Sequence, residues 1–364
     1  MPTVCLHIGA MKSGTSYLQH VLQRNREALL VAGVLFPGRR WRDQVDAAEE
    51  LVGVLPEGKQ AKVGAWQSLT DEVTAFNGHT AVISMETLSA ADRAAAARAV
   101  SSFAPNRVRI VLTARDLGRG VPAQWQESVK NGVTLGFGKY LALISASPSR
   151  SLPGARAFWR PQDIGAILRT WQPHVAPEDL VVVTVPPAGA QRSVLWHRFC
   201  EAAGIDPQGV DDSVSTNESL GAVSAELLRR VNRAAKARDV SPEVAAVVKQ
   251  RLAKQVLAAR KASEPSLDVP EEYQPWLVQT AADLVADVKQ VGPRVVGDLD
   301  ELLVDGDASA ASWSAKAMPW LSRRSGAQAA SVSESDLLDA ALDGLLGLSQ
   351  QLADARAPGR PRRT

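Results

Sequence analysis

Val4-Cys5-Leu6-His7-Ile8-Gly9-Ala10-Met11-Lys12-Ser13-Gly14-Thr15-Ser16 is the stretch that decides how this chain is read. Val4 to Ile8 reads as a short buried strand. Gly9 to Ser16 is a glycine-bracketed turn, after which Leu18, Val21, Leu22 and Leu29 recur at helical spacing. Strand, glycine-rich turn and helix in that order point several backbone N–H groups at one anion. Gly9 and Gly14 let the backbone turn tightly and approach a ligand. Lys12 adds a full positive charge, and the hydroxyls of Ser13, Thr15 and Ser16 add donors. A loop that holds phosphate or a similar anion is therefore expected here. The plain alternative is a glycine turn with an exposed lysine.

Outward from that stretch, apolar runs recur. Thr80 to Ser84 reads as a second buried strand, Arg107 to Thr113 as a third and Leu180 to Val185 as a fourth, with Val295 to Leu299 closing the globular part. Helical spacing lies between them, as at Val121, Trp125 and Val129, and Asp163 is placed to cap a helix carrying Ile164, Ile167, Leu168 and Trp171. Strands alternating with helices argue an α/β fold, a parallel sheet covered on both faces. Residues 131–160 are less regular. Ser145 to Pro153 reads as a loop long enough to form a lid or an acceptor segment, with Phe158 and Trp159 as apolar walls.

Residues 1–304 are expected to form the main α/β domain, and 305–331, rich in Ala and Ser, a linker. Residues 332–355 read as an amphipathic helix. Ser333 and Asp336 form a capping-box pattern, and Leu337, Ala341, Leu345, Leu348 and Leu352 form a narrow apolar stripe. Such a helix packs back on its own domain or recruits a partner, so an oligomer through it is one expectation. Residues 356–364 read as a disordered basic tail.

Composition narrows the function. The 364 residues are 45% hydrophobic and 22% charged, the ordinary globular range. A net charge of +2 implies no bulk polyanion partner, so nucleic acid is not expected. Cys5 and Cys200 are far apart and suggest neither a disulfide framework nor a metal site. His79, His174 and His197 show no metal spacing. With a strand from residue 4, no room for a signal peptide before it and no apolar run long enough to span a bilayer, a cytoplasmic protein without a membrane anchor is expected.

In an open parallel sheet, ligands bind beyond the carboxyl ends of the strands. Three strands here end in chemistry-bearing groups: the Lys12 loop, Glu86 and Arg115. An arginine after an apolar strand suits a phosphate as a bidentate fork; the plainer alternative is a pair with Asp116 or a surface carboxylate. A carboxylate at Glu86 suits a base that takes a proton from an acceptor, or equally a helix cap at Ser89. The nucleotide-triphosphatase loop needs Gly-Lys-Ser/Thr at its end, whereas here Lys12 follows Met11 and precedes Ser13-Gly14-Thr15.

The order Lys12-Ser13-Gly14-Thr15-Ser16 resembles the 5′-phosphosulfate loop of sulfotransferases that use 3′-phosphoadenosine 5′-phosphosulfate (PAPS). Leu195 to Cys200, Asn217 to Leu220 and Gly297 to Leu299 also look like stretches of bacterial sulfotransferase-like proteins. The resemblance implies a P-loop-type three-layer sandwich, with a central parallel sheet flanked by helices. It implies PAPS as cosubstrate held on Lys12, Ser13, Gly14, Thr15 and Ser16, a 3′-phosphate on Arg115, Lys12 and Glu86 as the catalytic pair, and no metal. The acceptor would be a small molecule or carbohydrate bearing a hydroxyl or amine. In that family a serine follows the arginine by eight residues; here position 123 is Ala, and Gln124 or Ser128 is the substitute. The family's Arg-Lys-Gly signature near the carboxyl end is not recognisable. Two other readings stand beside this one: a nucleotide kinase with a variant loop, and a nucleotide-binding or scaffold protein without turnover.

Overall fold

The computed structural model describes residues 1–53, 60–146, 152–214, 219–304 and 332–356. In chain order its regular elements are β1 (Thr3–His7), α1 (Thr15–Arg24), α2 (Arg26–Val31), β2 (Val34–Leu35), α3 (Trp41–Val52), α4 (Ala65–Thr74), β3 (Thr80–Ser84), α5 (Arg93–Ser101), β4 (Val108–Ala114), α6 (Leu117–Lys130), α7 (Phe137–Ser145), α8 (Pro153–Trp159), α9 (Ile164–Trp171), β5 (Leu180–Thr184), α10 (Arg192–Ala203), α11 (Ala222–Ala237), α12 (Pro242–Val247), α13 (Gln274–Val291), β6 (Arg294–Val296) and α14 (Glu334–Arg356). They divide into two compact units. The described residues within 1–120, 147–216 and 275–307 form the first, and those within 121–146, 217–274 and 308–364 form the second.

The first unit holds a six-stranded sheet in the order β2-β3-β1-β4-β5-β6. Every pairing is parallel. Leu6 of β1 sits level with Ile83 of β3 on one side and Ile110 of β4 on the other. Strands buried on both faces read as continuous apolar runs rather than alternating ones, which is why these stretches stood out in the sequence. Cys5, Val82, Val111 and Val181 face one side, where Leu18, Val21 and Leu22 of α1 and Trp196 and Phe199 of α10 cover them. The pleat turns Leu6, Ile83, Leu112 and Val182 to the other side. There α9 packs on β4, α5 on α9 and α3 on α5. The result is the three-layer α/β architecture expected from the sequence. The chain leaves β1 toward the β3 side and β4 toward the β5 side. The crevice at the carboxyl ends of β1 and β4 is thus the point where the winding reverses.

In the second unit, α14 packs on α11 and on a π-helical stretch, Val248–Leu257. Trp125 of α6 is buried, donates its indole N–H to the Leu135 carbonyl at 2.9 Å and packs on Phe137. It is a core residue there.

Several elements differ from expectation. Residues 131–160 contain two helices, α7 and α8. In α7, Phe137, Tyr140, Leu141 and Ile144 bury one face, but Gly136 and Gly138 blur the pattern. Pro153 opens α8 from its first turn, where a proline loses nothing. The loop expected over Ser145 to Pro153 therefore starts at the end of one helix and stops at the start of another, and 147–151 lie outside the described residues. Phe158 and Trp159 do not wall an open acceptor space. They are 1% and 3% exposed and pack on each other, with Trp159 also meeting Trp276. The expected stripe of α14 mixes two faces, since Leu337 is buried while Leu345 is exposed. The expected linker and tail, 305–331 and 357–364, lie outside the described residues. No helix among the described residues is long and apolar enough to cross a membrane.

Candidate functional site: an open helix start beside a part-buried arginine

Beyond β1 the chain clamps onto β4. Ile8 N–H donates to the Val111 carbonyl at 2.9 Å and Ala10 N–H to the Thr113 carbonyl at 2.6 Å. Between them Gly9 holds φ +97°, and a Cβ there would lie 3.1 Å from the Glu86 Cβ. The loop and Glu86 are therefore packed against each other through a glycine that no other residue replaces without strain. From the α8–α9 connection, the Pro161 carbonyl accepts from Met11 N–H and the Gln162 side chain donates to the Met11 carbonyl at 2.7 Å. Lys12 follows with φ 62°, a left-handed conformation that costs a residue with a side chain about 1 kcal/mol or more.

Helix α1 starts without a cap. Gly14, at φ +85°, stands at its N-cap; no side chain accepts there, and no acidic residue lies in the first turn. The Gly14 carbonyl accepts from Tyr17 and Leu18 N–H, yet the amides of Ser13, Gly14, Thr15 and Ser16 donate to no acceptor among the described residues. Helix-start amides left without acceptors concentrate about half a positive charge. The Ser13 hydroxyl is not part of that opening. Ser13 is fully buried; its Oγ donates to the Ala10 carbonyl at 2.5 Å and lies 2.5 Å from Thr113 Oγ1. It shapes the loop and leaves only its amide for a ligand. Thr15 is buried and Ser16 half-buried at the helix start.

Arg115 lies just past β4, and its Nη1 donates to the Lys12 carbonyl at 3.3 Å. Its Nε is buried without a hydrogen-bond partner. Among the described residues no carboxylate pairs with it. Asp116, the obvious candidate, is taken by Arg119, which donates to it from both Nε and its own backbone N–H. Burial pushes the Arg115 pKa down to about 10, the nearby Arg119 charge pushes the same way, and Asp116 opposes both. The one carboxylate charge that acts on it, Asp116, is thus held by another arginine.

Glu86 opens a 3₁₀ turn after β3, and its Oε2 accepts from Gln19 Nε2 at 2.9 Å. The same Gln19 nitrogen donates to the Ser84 carbonyl at 2.9 Å, and its oxygen accepts from the indole N–H of the exposed Trp41 at 3.3 Å. The carboxylate does not cap Ser89, whose hydroxyl donates to the Glu86 backbone carbonyl instead. Beneath the site, His7 is fully buried between Ser84 Oγ at 2.7 Å and Thr113 Oγ1 at 3.1 Å.

Lys12, its loop, Arg115 and Glu86 thus lie at neighbouring strand ends of one unit. Ser128 lies on α6 in the second unit, with its hydroxyl bound to the Gln124 carbonyl at 3.0 Å. Reading the sequence missed Gln19, Thr113 and Gln162.

No protein-family model matches the chain, and no curated protein matches it. Among solved structures, a sulfotransferase from Alicyclobacillus acidocaldarius is similar to it at 17% sequence identity and a TM-score of 0.39, over 66% of this chain and 93% of that one. A likeness that loose leaves the function to the chemistry of the site.

Proposed function

We propose that this chain is a sulfotransferase that moves the sulfuryl group of PAPS to a hydroxyl or amine of a small-molecule or carbohydrate acceptor. The observation that carries this reading is Arg115. It is a part-buried guanidinium whose buried Nε has no hydrogen-bond partner and with which no carboxylate pairs among the described residues, set beside a second anion site at the start of α1. Two separate anion sites at one crevice suit a nucleotide with anionic groups at both ends of its ribose better than one with a single phosphate chain. In this reading the amides of residues 13–16 and Lys12 hold the 5′-phosphosulfate, and Arg115 holds the 3′-phosphate.

The reaction then needs little more. The acceptor oxygen or nitrogen attacks sulfur, its proton passes to the Glu86 carboxylate, and the bond from sulfur to the bridging phosphate oxygen breaks. Adenosine 3′,5′-bisphosphate leaves. Lys12 and the loop amides meet the charge that grows on the departing oxygen. Gln19 holds the Glu86 carboxylate in place from the side. Asp116, which stands where a metal-holding carboxylate would serve a kinase, is bound to Arg119.

A calorimetric titration tests this. Adenosine 3′,5′-bisphosphate is expected to bind tightly without metal, and PAPS to be consumed when an acceptor is present. Tighter binding of ATP with Mg²⁺ assigns the site to a kinase. Bisphosphate binding with no transfer to any alcohol, amine or sugar assigns a protein that has lost turnover.

A further inference from the structure

We propose that Trp41 is the acceptor platform of this site and that the acceptor is a sugar, whose pyranose ring stacks on the exposed indole and offers a hydroxyl to Glu86. This rests on the sulfotransferase reading and narrows it.

Trp41 is 48% exposed, and no other tryptophan among the described residues is exposed. It is nevertheless fixed in place. Trp41 opens α3, and Gln44 lies one turn on along the same face, buried. Gln44 clamps α3 to the end of β3. Its Oε1 accepts from Ser84 N–H at 2.8 Å, and its Nε2 donates to the Pro37 carbonyl at 2.9 Å. That clamp sets Trp41 at the carboxyl end of β3, the strand from which Glu86 follows. There the indole N–H donates to Gln19 Oε1 at 3.3 Å.

The indole also decides which way the Gln19 amide faces. An indole N–H only donates, so the amide turns its oxygen to Trp41 and its NH₂ to the other side. That nitrogen donates to the Ser84 carbonyl and to Glu86 Oε2, each at 2.9 Å. Glu86 Oε1 accepts no hydrogen bond among the described residues. An exposed aromatic ring thus stands one amide group away from a carboxylate oxygen open to a proton.

The surroundings choose the class of acceptor. A phenol calls for an enclosed aromatic pocket, and the aromatic pair expected to wall one, Phe158 and Trp159, is buried in the core. Trp41 is instead a lone ring beside polar groups. Gln19 and Glu86 lie on one side, and the exposed Arg39 and Arg40 precede it in the chain. A pyranose is apolar on its faces and polar round its edge, which matches such a ring. In the transfer, the sugar hydroxyl oxygen bonds to sulfur and its proton passes to Glu86 Oε1. The bridging phosphate oxygen leaves with the electron pair of its bond to sulfur.

The test uses the full chain. Binding of adenosine 3′,5′-bisphosphate to wild type comes first, and without it the sulfotransferase reading falls and this inference with it. Sulfate transfer from PAPS is then measured to methyl glycosides of neutral, amino and acidic pyranoses, and to phenol. The glycosides are expected to accept sulfate and phenol is not. Trp41→Ala is expected to raise the glycoside KM about tenfold or more and to leave bisphosphate affinity unchanged. Trp41→Phe keeps a ring but loses the N–H that orients Gln19. It is expected to hold KM within about twofold while kcat falls about tenfold, a split that a merely structural role would not give. Thermal melts check that both variants fold. Adding a glycoside to the bisphosphate-bound chain is expected to shift tryptophan emission in wild type and not in Trp41→Phe. Transfer to phenol alone, or a glycoside KM that Trp41→Ala does not move, overturns the inference and leaves the sulfotransferase reading standing. So does a tryptophan emission that no glycoside moves, whether or not sulfate is transferred.

Discussion

The carboxyl ends of β4 and β5 lie side by side in one sheet, and each is met by an arginine, but they are finished in opposite ways. At β5 the end is sealed. Arg198 donates to the Thr184 carbonyl at 2.9 Å and reaches both carboxylate oxygens of Glu301, at 2.6 and 2.9 Å. Thr184 Oγ1 donates to the same carboxylate and accepts from Asp298 N–H. Gly297 is the residue that fits there, since a Cβ would lie 2.0 Å from Thr184 Oγ1. At β4 the end is left open. Arg115 has one long bond to a carbonyl and a buried Nε with nothing to donate to. The sealed end shows how this fold uses an arginine to hold itself together. The open end, one strand away, has no carboxylate seated in that way among the described residues, and this contrast supports the proposal that Arg115 is kept for a ligand.

The comparison breaks most plainly at Lys12, on the open side. Lys12→Ala is expected to lower transfer by about a thousandfold or more, since in the proposed reaction it removes the charge facing the departing oxygen, and to leave the melting temperature nearly unchanged. Sulfate transfer from PAPS and a thermal melt read the two effects, and an unchanged rate removes the loop from the mechanism. Next comes Glu86→Gln, which keeps the shape and removes the proposed base. Turnover is expected to fall by about a hundredfold to ten-thousandfold. Bisphosphate affinity should barely move, so equal losses in both would assign Glu86 to binding or stability instead.

The two arginines themselves sharpen the contrast. Arg115→Met is expected to weaken bisphosphate binding about tenfold to a hundredfold, the worth of one charge-assisted contact. Stability should change little, because Arg115 holds the fold by only one long bond to a carbonyl and leaves its Nε without a partner. Arg198→Met is expected to do the reverse. It leaves Glu301 stranded and costs about 2–4 kcal/mol, less than for a fully buried pair because both partners keep some water contact. Nucleotide affinity should stay put. Titration calorimetry and urea unfolding on both variants give four numbers. If both arginines cost stability alone, the open end is merely an ill-sealed one.

Much of this was legible in the residues. The β3 strand, Thr80–Ser84, matches its expected bounds because both faces of a central parallel strand are apolar. The Asp163 cap shows in its side chain accepting from Ala166 N–H. The helix expected from Ser89 instead starts at Arg93 behind an Asp92 cap, after the 3₁₀ turn of Glu86–Ala90. Partnership between distant residues was what the sequence hid. Nothing local says that Asp116 serves Arg119 rather than Arg115, or that Ser13 spends its hydroxyl on Thr113, a hundred positions away. Phe158 and Trp159 misled for a related reason, since large aromatics line open sites and fill cores alike, and only the approach of Trp276 decides.

The smallest effect separates the two strand ends by pH. His7 underlies the open end, linked through Thr113 to Ser13 and so to the loop. Burial pushes its pKa from 6.5 down to about 3. The folded chain therefore keeps His7 neutral where the unfolded chain takes up a proton, and stability falls as pH drops below about 6.5 toward about 3. At the sealed end, burial of Glu301 works against its charge, but hydrogen bonds from Arg198 and Thr184 prevail and hold its pKa below 4.5. What that pair contributes is present above 4.5 and is lost only as pH falls through the lowered value. Between about pH 6.5 and 4.5 the loss belongs to His7, with a slope of at most ~1.4 kcal/mol per pH unit. Urea unfolding of wild type and His7→Gln across that window should give two curves that converge as the pH falls, because the variant has no imidazole to protonate. Parallel curves would mean that His7 already takes up its proton in the folded chain, and the open end would then rest on something other than a neutral ring.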